Sequence, residues 1–422
     1  MIKITDKKLP LTPAEVRSIL QQETDTFGCF FDLYLILGHE ADLLLNIHKN
    51  RKQWISLTGD PYLKITDRNR IMQLLVQRFN VPSYKLQADD SGQRFSIEKE
   101  IVASLIADVS INEDAKEFLR LFQKMKEWSQ LVSYLGQYKE LPVSVAESCD
   151  KHRMVIAHPL WSLLATSRIS ASSPSLQNVA SSLLDIYTAP EGYTMISCDS
   201  SQIEPRITYS AFIRDEDIIH LIKMYDDAYY GLLHYITLGK DAAKFDINEE
   251  VKNKRDKLKT LALAGNYGSS NLASIDYELG PSYTEKIVRH PLRLALERNV
   301  RERVKSGADT FYGIFGTPVK PEETNKYKKN GTGWFEHLVR CGVNNPIQTT
   351  ASELMCFSVY NAKKVLGSEG KINYYKHDEG CFYVPEDKVD YYAGLLKECV
   401  AYEVEGWLPI GSDLHIGRKL TE

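Results

Sequence analysis

Four side chains recur every fourth residue in one lysine-rich segment: Arg255, Lys259, Leu263 and Tyr267, with Gly268 directly after them. Residues four apart lie on the same face of an α-helix, so the spacing predicts a helix with one specialised face. The two cations can bind a polyphosphate, because guanidinium and ammonium groups one turn apart both pair with phosphate oxygens. The apolar and aromatic side chains can lie beneath a flat base. A basic amphipathic helix without a special role would explain this segment equally well when it is taken alone.

Two acidic segments far apart in the chain each predict a carboxylate at the edge of a sheet. One predicts a buried strand that ends in Asp199, and the other predicts a hairpin with Asp378 and Glu379 at its tip. A lone aspartate at a strand end is more often a helix cap or a surface charge, but a second such site strengthens a metal interpretation. Two Mg²⁺ ions about 3.5–4 Å apart can clamp a phosphoryl displacement. We therefore expect Asp199 and Asp378 to share two Mg²⁺ ions, with the carbonyl of Ser200 as a further ligand.

Composition favours an ordinary globular protein and argues against several classes. The 422 residues, 43% hydrophobic and 26% charged, suffice for two or three subdomains. A net charge of −4 means that any nucleic-acid partner needs a local basic groove rather than a uniformly basic surface. Seven cysteines without a CxxC pair argue against a zinc ribbon and favour a reducing cytoplasm. The apolar runs are too short for a signal peptide or a membrane span, so we expect no membrane insertion.

Apolar residues at helical spacing mark much of the remaining chain. Residues 68–137 are predicted to be mostly helical, with a polar loop at 87–94, and their apolar stripe predicts helix-packing core. Residues 207–310 are also predicted to be helical and hold most of the local positive charge, part of it on solvated helix faces. A long helix is predicted over 338–366, after a polar loop or hairpin at 314–334.

Five segments, in order along the chain, resemble motifs of the family A DNA polymerases, the bacterial DNA polymerase I type. They are residues 166–178 (TSRISASSPSLQN), 199–206 (DSSQIEPR, like DYSQIELR), 255–268 (R-x3-K-x3-L-x3-YG), 340–348 (R-x3-N-x-P-x-Q) and 377–379 (HDE). The segment LPIGSD at 408–413 is similar to the family's last strand.

The resemblance implies an α+β, right-hand polymerase fold with an antiparallel-sheet palm, helical fingers and a helical thumb. The implied domains are an N-terminal region of unknown role at 1–60, a thumb-like helical region at 61–150, a first part of the palm at 151–206, fingers at 207–313 and a second part of the palm at 314–422. No Asp-x-Glu exonuclease signature is found near the start, so the expected protein is a short form without a proofreading exonuclease domain.

The resemblance also implies roles for individual residues. The implied catalytic residues are Asp199, Asp378, Glu379 and Lys259, of which Lys259 also protonates the departing pyrophosphate, and the implied metal ligands are Asp199, Ser200 and Asp378. The implied deoxynucleotide-binding residues are Gln202, Glu204, Arg255, Lys259, Leu263 and Tyr267. The implied primer–template contacts are Arg168, Gln177, Asn178, Arg340, Asn344, Gln348 and His377, partly at minor-groove acceptors that every correct base pair presents. Glu204 would block a ribose 2′-hydroxyl and thereby select deoxynucleotides.

The chain departs from the family pattern at three places in the nucleotide pocket. Ser200 replaces a tyrosine, which weakens the wall of the sugar pocket. Leu263 replaces an aromatic residue that senses the nucleotide, and Tyr229 stands nearest to the place of a missing family histidine. These changes leave a terminal or translesion polymerase open as an alternative.

The expected function is template-directed DNA synthesis by two-metal-ion phosphoryl transfer, in replication or repair, without proofreading. The expected partners are primer–template DNA and deoxynucleoside triphosphates, with room for accessory replication proteins, in the cytoplasm of a bacterial cell and encoded by the cell, a virus or a plasmid. A single-subunit RNA polymerase is the nearest alternative, although it needs room where Glu204 stands. An inactive polymerase-like DNA-binding protein is the alternative outside the enzymes.

Overall fold

The computed structural model describes residues 1–6, 8–86, 99–144, 154–266, 272, 276, 278–324, 327–329, 331 and 333–420. Contacts divide the chain into two units. The larger unit comprises Met1–Cys29, His158–Asn178 and Ala189–Thr421, and the smaller unit comprises mainly Phe30–Ala157 and Val179–Thr188. The five-part division into palm, fingers and thumb stays a prediction.

The secondary structure mixes helices and short strands. In chain order the strands are β1 (Ile2–Ile4), β2 (Cys29–Asp32), β3 (Val143–Ser144), β4 (Met154–Ala157), β5 (Leu160–Leu163), β6 (Ile169–Ser172), β7 (Tyr193–Ser200), β8 (Phe311–Tyr312), β9 (Pro318–Val319), β10 (Lys371–Lys376), β11 (Glu379–Pro385), β12 (Tyr402–Val404) and β13 (Ser412–Gly417). The α-helices are α1 (Pro13–Thr26), α2 (Leu33–Thr58), α3 (Arg68–Gln77), α4 (Lys99–Ala107), α5 (Glu113–Lys139), α6 (Ile203–Ile207), α7 (Glu216–Tyr225), α8 (Ala228–Thr237), α9 (Glu249–Asn266), α10 (Gly280–Tyr283), α11 (Pro291–Lys305), α12 (Trp334–Leu366) and α13 (Val389–Cys399).

A four-stranded antiparallel sheet, in the order β10–β11–β7–β13, organises the larger unit. Its two central strands are apolar along most of their length rather than alternating, and residues 195–198 and 380–384 are buried. A strand that is buried on both faces needs apolar residues at successive positions. Helices α1 and α12 pack against β10, and α13 packs against β7, β11 and β13. The sheet edge is therefore held rigidly by a covered core.

Helices α7, α8 and α9 form a second core in the larger unit. Leu258 and Leu261 of α9 are fully buried in this core, together with Ile218 and Leu232. Helix α9 buries the face that carries these two leucines, so another of its faces is left outside the core. That other face carries Arg255, Lys259 and Leu263. The helix predicted from the spacing is thus confirmed as far as Asn266, and Tyr267 and Gly268 lie outside the described residues.

Helix α12 begins at Trp334, four residues before the predicted start, and passes through Pro346. Proline inside a helix lacks an N–H donor and crowds the carbonyl four residues earlier, where this chain has Gly342. Long stretches of the helix are buried, including Thr349–Cys356 in its second half, so tertiary packing compensates for the lost hydrogen bond. The predicted long helix is confirmed and extended at its start.

The smaller unit is mainly helical. Helix α2 packs against α5, and the aromatic rings of Trp54, Phe79, Phe118 and Phe122 form the centre of its core. Helices α3, α4 and α5 confirm that the described part of 68–137 is mostly helical, whereas the predicted loop at 87–94 lies outside the described residues. Among the described helices of the whole chain, none combines the length and the apolar character that crossing a bilayer requires.

Candidate active site

One end of the central sheet gathers four carboxylates. Asp199, near the end of β7, lies directly opposite Glu379 of β11 on one side and Asp413 of β13 on the other. Asp378 lies in the two-residue turn between β10 and β11, and its main-chain carbonyl accepts a hydrogen bond from the N–H of Ser200 at 3.0 Å. Antiparallel pairing therefore brings together Asp199 and Asp378, which are far apart in the sequence.

The carboxylates of this edge oppose one another's ionisation. Burial raises the pKa of Asp199 to about 7, and the negative charges of the three neighbouring carboxylates add to the shift. Burial also raises the pKa of Asp378 to about 6, with further repulsion from Glu204. Buried carboxylates that repel one another suit a hard divalent cation, which would supply the missing positive charge. Among the described residues no group of three His, Cys, Asp or Glu side chains is arranged so that it could hold a metal ion. In proteins Mg²⁺ is usually bound by one or two carboxylates together with water and substrate phosphates.

Removing this repulsion should stabilise the protein when no metal is present. The pKa of Asp199 rises from 3.8 to about 7 on folding, so the folded state retains a proton that the unfolded chain loses, and stability falls as pH rises through this range. In EDTA, Asp199→Asn should raise the melting temperature at pH 8 by roughly 2–4 °C and leave it nearly unchanged at pH 4. Scanning fluorimetry at both pH values measures this. The exposed carboxylate of Asp217 provides the control Asp217→Asn, and equal melting temperatures of wild type and Asp199→Asn at pH 8 would contradict the prediction.

A predicted catalytic residue and a predicted metal ligand at the sheet edge are held by hydrogen bonds of their own. The carboxylate of Glu379 accepts hydrogen bonds from the hydroxyls of Ser197 and Tyr374, the latter at 3.3 Å. The hydroxyl of Ser200 is buried and donates to the carbonyl of Val400 at 2.7 Å. Both side chains therefore support the sheet edge, and only main-chain atoms of Ser200 are left for a ligand.

A pocket of about 400 Å³ lies between the acidic edge and helix α9. The predicted site residues that line it are Arg168, Asp199, Gln202, Glu204, Arg255, Lys259, Leu263, His377 and Asp378. It is also lined by Tyr229, the residue nearest to the missing family histidine, and by Ser201 and Asp413, which the sequence prediction did not assign to the site. The volume is within the range of small-molecule sites.

The two cations of α9 differ in their partners. The guanidinium of Arg255 donates to Asp227 Oδ2 at 2.7 Å and to Asp256 Oδ1 at 3.0 Å, and it lies 5.2 Å from the ring centre of Tyr229. Burial disfavours its charged form, but the two carboxylates outweigh burial and raise the pKa of Arg255. Lys259 is exposed to the pocket, and within the described part of the chain it has no hydrogen bond or ion pair. Lys259 is therefore the cation available to a ligand without any exchange of partners.

Gln202 connects the sheet edge to the helical core. It lies just after β7 in the left-handed region, at φ 54°, and its amide nitrogen donates to Asp227 Oδ2 at 2.5 Å. Its amide oxygen accepts from the main-chain N–H of Ala228 at 2.5 Å. Asp227 itself caps the N-terminus of α8, accepting from the N–H of Tyr230 at 2.8 Å. Asp227 was not among the residues predicted from the sequence, although an aspartate before a predicted helix is a recognisable capping signal.

The predicted sugar-selecting residue has a charged partner. Glu204 forms an ion pair with Arg168, and both side chains are about one-sixth exposed. Tyr229 lies in the same pocket, and burial followed by the negative charge of Glu204 raises its pKa well above the ordinary value. The pair places a carboxylate and a guanidinium in a half-buried wall of the pocket.

The remaining predicted DNA contacts lie beyond the pocket lining. Gln177 is 8% exposed, and its amide bonds to the main chain of Ile169, Ala171 and Tyr375. Its described contacts are therefore structural, and a DNA contact stays a prediction. Asn178 is exposed and donates to Ser175 Oγ at 2.7 Å.

Helix α12 carries the other three predicted DNA contacts on one face. Arg340, Asn344 and Gln348 recur every fourth residue, and the guanidinium of Arg340 lies 4.9 Å from the ring centre of Tyr327. One turn further along, Ala351 and the residue after it line the pocket. The three predicted DNA contacts therefore lie on the same helix as part of the pocket lining, but they do not line the pocket themselves.

Comparisons with known proteins agree with this fold. No family model matches the chain. The thermostable DNA polymerase I of Thermus filiformis is 26% identical over 320 residues, which cover 69% of this chain and 36% of that protein. DNA polymerase I of Deinococcus radiodurans is 25% identical over 270 residues, which cover 60% of this chain and 27% of that protein. This chain thus spans about a third of the length of the curated relatives that it matches.

A solved structure covers nearly the whole chain. The POL domain of Pol1 from M. smegmatis, in complex with DNA primer-template and dNTP, superposes with a TM-score of 0.79 at 17% identity, covering 97% of this chain and 70% of that one. The predicted α+β polymerase fold is therefore confirmed. Together with the curated relatives, this fold confirms the resemblance to the family A DNA polymerases: the chain is similar to bacterial DNA polymerase I over part of that protein's length.

Proposed function

We propose that this protein is a template-directed DNA polymerase that adds deoxynucleotides to a primer 3′-hydroxyl. One observation carries the proposal: a pocket of about 400 Å³ has Asp199 and Asp378 on one side and Arg255 and Lys259 on the other. Phosphoryl transfer requires mainly positioning and charge neutralisation, and this pocket offers both signs of charge to a single ligand. Homology to bacterial DNA polymerase I supports the same activity, as does the likeness to an M. smegmatis polymerase domain that holds primer-template and dNTP.

The acidic edge would hold two Mg²⁺ ions through Asp199 and Asp378. When bound, such ions would stabilise the charge on the attacking and leaving oxygens. The fit rests on donor chemistry, since the raised pKa values of both aspartates reflect burial and repulsion that a cation would relieve. Glu379, held by two hydroxyls, would keep the local charge negative.

The chain's own residues would bind and orient the nucleotide. In the reaction the primer 3′-hydroxyl loses its proton to water and its oxygen forms a bond to the α-phosphorus. The bond from that phosphorus to the oxygen that bridges to the β-phosphate breaks, and pyrophosphate leaves with that oxygen. Lys259 and Arg255 would bind the phosphates at the end of the pocket formed by α9. The ammonium of Lys259 would donate a proton to the departing pyrophosphate. Leu263, one turn further along α9, would form an apolar surface beneath the base.

A single-subunit RNA polymerase is the second candidate, and Glu204 argues against it. Its carboxylate lines the pocket in an ion pair with Arg168, where a ribose 2′-hydroxyl would need space. Primer extension on a defined template, with each deoxynucleotide and ribonucleotide offered separately, tests template dependence and sugar choice together. Extension by ribonucleotides as efficient as by deoxynucleotides would favour the RNA polymerase. A cytoplasmic location, accessory replication proteins and the lack of proofreading stay predictions; incubating a mismatched primer without nucleotides tests the last.

Shortening Glu204 should admit ribonucleotides. Glu204→Ala removes the carboxylate that would clash with a 2′-hydroxyl, so we expect kcat/KM for ribonucleotides to rise about 10–100-fold, equivalent to roughly 1.4–2.7 kcal/mol of barrier. Single-nucleotide incorporation kinetics measure the ratio of ribo- to deoxynucleotide use. Glu204→Gln keeps the bulk and serves as the matched control. If Glu204→Ala leaves that ratio unchanged, another group selects the sugar.

A further inference from the structure

Asp227 holds three hydrogen-bond donors beside the pocket. Its Oδ1 accepts from the N–H of Tyr230 at the start of α8, at 2.8 Å. Its Oδ2 accepts from Arg255 at 2.7 Å and from the amide of Gln202 at 2.5 Å. The side chains of Arg255 and Asp227 are 22% and 16% exposed, so the ion pair is half-buried and less screened than a surface pair. A charge-assisted bond in this setting is stronger than an exposed one.

Arg255 consequently has its charge already neutralised within the protein. Its second terminal nitrogen donates to Asp256 at 3.0 Å, but that carboxylate is 71% exposed and makes a weak surface pair. Lys259, one turn away, has no such partner within the described part of the chain. The sequence predicts that Arg255 and Lys259 bind the same phosphates. Before a ligand binds, however, Arg255 is already in an ion pair, whereas Lys259 is available.

We propose that Asp227 is an internal competitor of phosphate, whose carboxylate a nucleoside triphosphate must displace from Arg255. This inference rests on the proposed function, because it concerns the same nucleotide pocket. A triphosphate carries several negative charges, whereas Asp227 carries one, so the triphosphate can displace Asp227 from the guanidinium of Arg255. After release, Asp227 keeps the helix N-terminus and Gln202 as partners, so it is not left as an unpaired buried charge. Breaking the ion pair between Asp227 and Arg255 costs part of the free energy gained from phosphate binding, and this cost lowers the affinity for nucleotides.

Asp227→Asn is the sharpest test. Asparagine caps helices as well as aspartate does and has nearly the same size, so α8 should persist while the competing charge disappears. We expect inorganic tripolyphosphate to bind the DNA-free protein about three- to tenfold more tightly by titration calorimetry, the size of a partly screened charge pair. In primer extension, KM for the deoxynucleotide should fall by a similar factor while kcat changes less than about twofold.

Two further variants control for charge and for the proposed partner. Asp217→Asn removes one negative charge from an exposed pair with Lys240 in the same unit, and it should leave tripolyphosphate binding unchanged. In an Arg255→Ala background, Asp227→Asn should have no effect, because the group for which both anions compete is missing. Thermal melts of every variant confirm folding.

The binding arm separates this inference from the proposed function, since it requires neither DNA nor chemistry. If wild type fails to extend primers but Asp227→Asn still gains tripolyphosphate affinity, the polymerase proposal fails and the competition stands. If Asp227→Asn binds tripolyphosphate equally or more weakly than wild type, Asp227 positions Arg255 instead of competing for it, and the inference is overturned. Absence of binding by both proteins overturns it as well.

Discussion

Asp199→Ala and Asp378→Ala should each lower the rate of primer extension by about 10³-fold, the scale on which an enzyme loses a principal charge-stabilising group. The two carboxylates line one pocket although one comes from a strand and the other from a hairpin turn far along the chain, and each has a raised pKa because burial and neighbouring negative charge oppose its ionisation. An ion held between them would lose an anionic ligand in either variant. Single-turnover extension with saturating nucleotide and Mg²⁺ measures the loss directly.

Two controls make this result specific to the aspartate pair. Asp413→Asn removes a carboxylate that lies opposite Asp199 and hydrogen-bonds to Ser201 at 3.2 Å, so it changes the local charge without removing a proposed ligand. We expect it to slow extension less than about tenfold. A loss as large as that of the two alanine variants would assign Asp413 to the metal-binding set. Wild-type extension no faster than that of Asp199→Ala would refute the catalytic proposal.

The predictable part of the site rests on local patterns. The buried apolar run before Asp199 and the hairpin around Asp378 were recognisable because strands and turns have characteristic patterns among residues that are adjacent in the sequence. The register of Arg255, Lys259 and Leu263 was recognisable because helical periodicity needs no knowledge of the rest of the chain. That the two acidic segments meet was predicted from metal chemistry and supported by the family resemblance, and the strand pairing of β7 with β11 supplies the physical reason.

The unpredicted part depends on long-range pairing. Asp413 faces Asp199 only because β13 pairs with β7 in one register, and a shift by one residue would turn its side chain to the other face. The partnership of Asp227 with Arg255 likewise depends on how α8 packs against α9. The hydrogen bonds of Gln177 to buried main chain also depend on long-range packing, and the DNA contact that the resemblance implies for it stays a prediction.

Lys259→Ala should be the second severe substitution, lowering kcat/KM for the deoxynucleotide by about 10²–10³-fold. Lys259 lines the pocket without a hydrogen bond or ion pair in the described part of the chain, so its ammonium is available to the phosphates and to the departing pyrophosphate. Steady-state single-nucleotide kinetics should show both a lower kcat and a higher KM, because the ammonium acts in binding and in proton transfer. Lys259→Arg keeps the charge but holds its proton too firmly to donate it, so it should restore KM more than kcat.

The contrast with Arg255 makes this prediction sharper. Arg255→Ala should raise KM, but it should lower kcat/KM less than Lys259→Ala does. The guanidinium of Arg255 must first leave Asp227, so its net contribution to nucleotide binding is only the difference between its interaction with the phosphates and its interaction with Asp227. If Arg255→Ala lowers kcat/KM more than Lys259→Ala does, then Arg255 rather than Lys259 is the main phosphate-binding residue. The pocket would then depend on a rearrangement of the Asp227 network, rather than on the cation that is already available to its ligand.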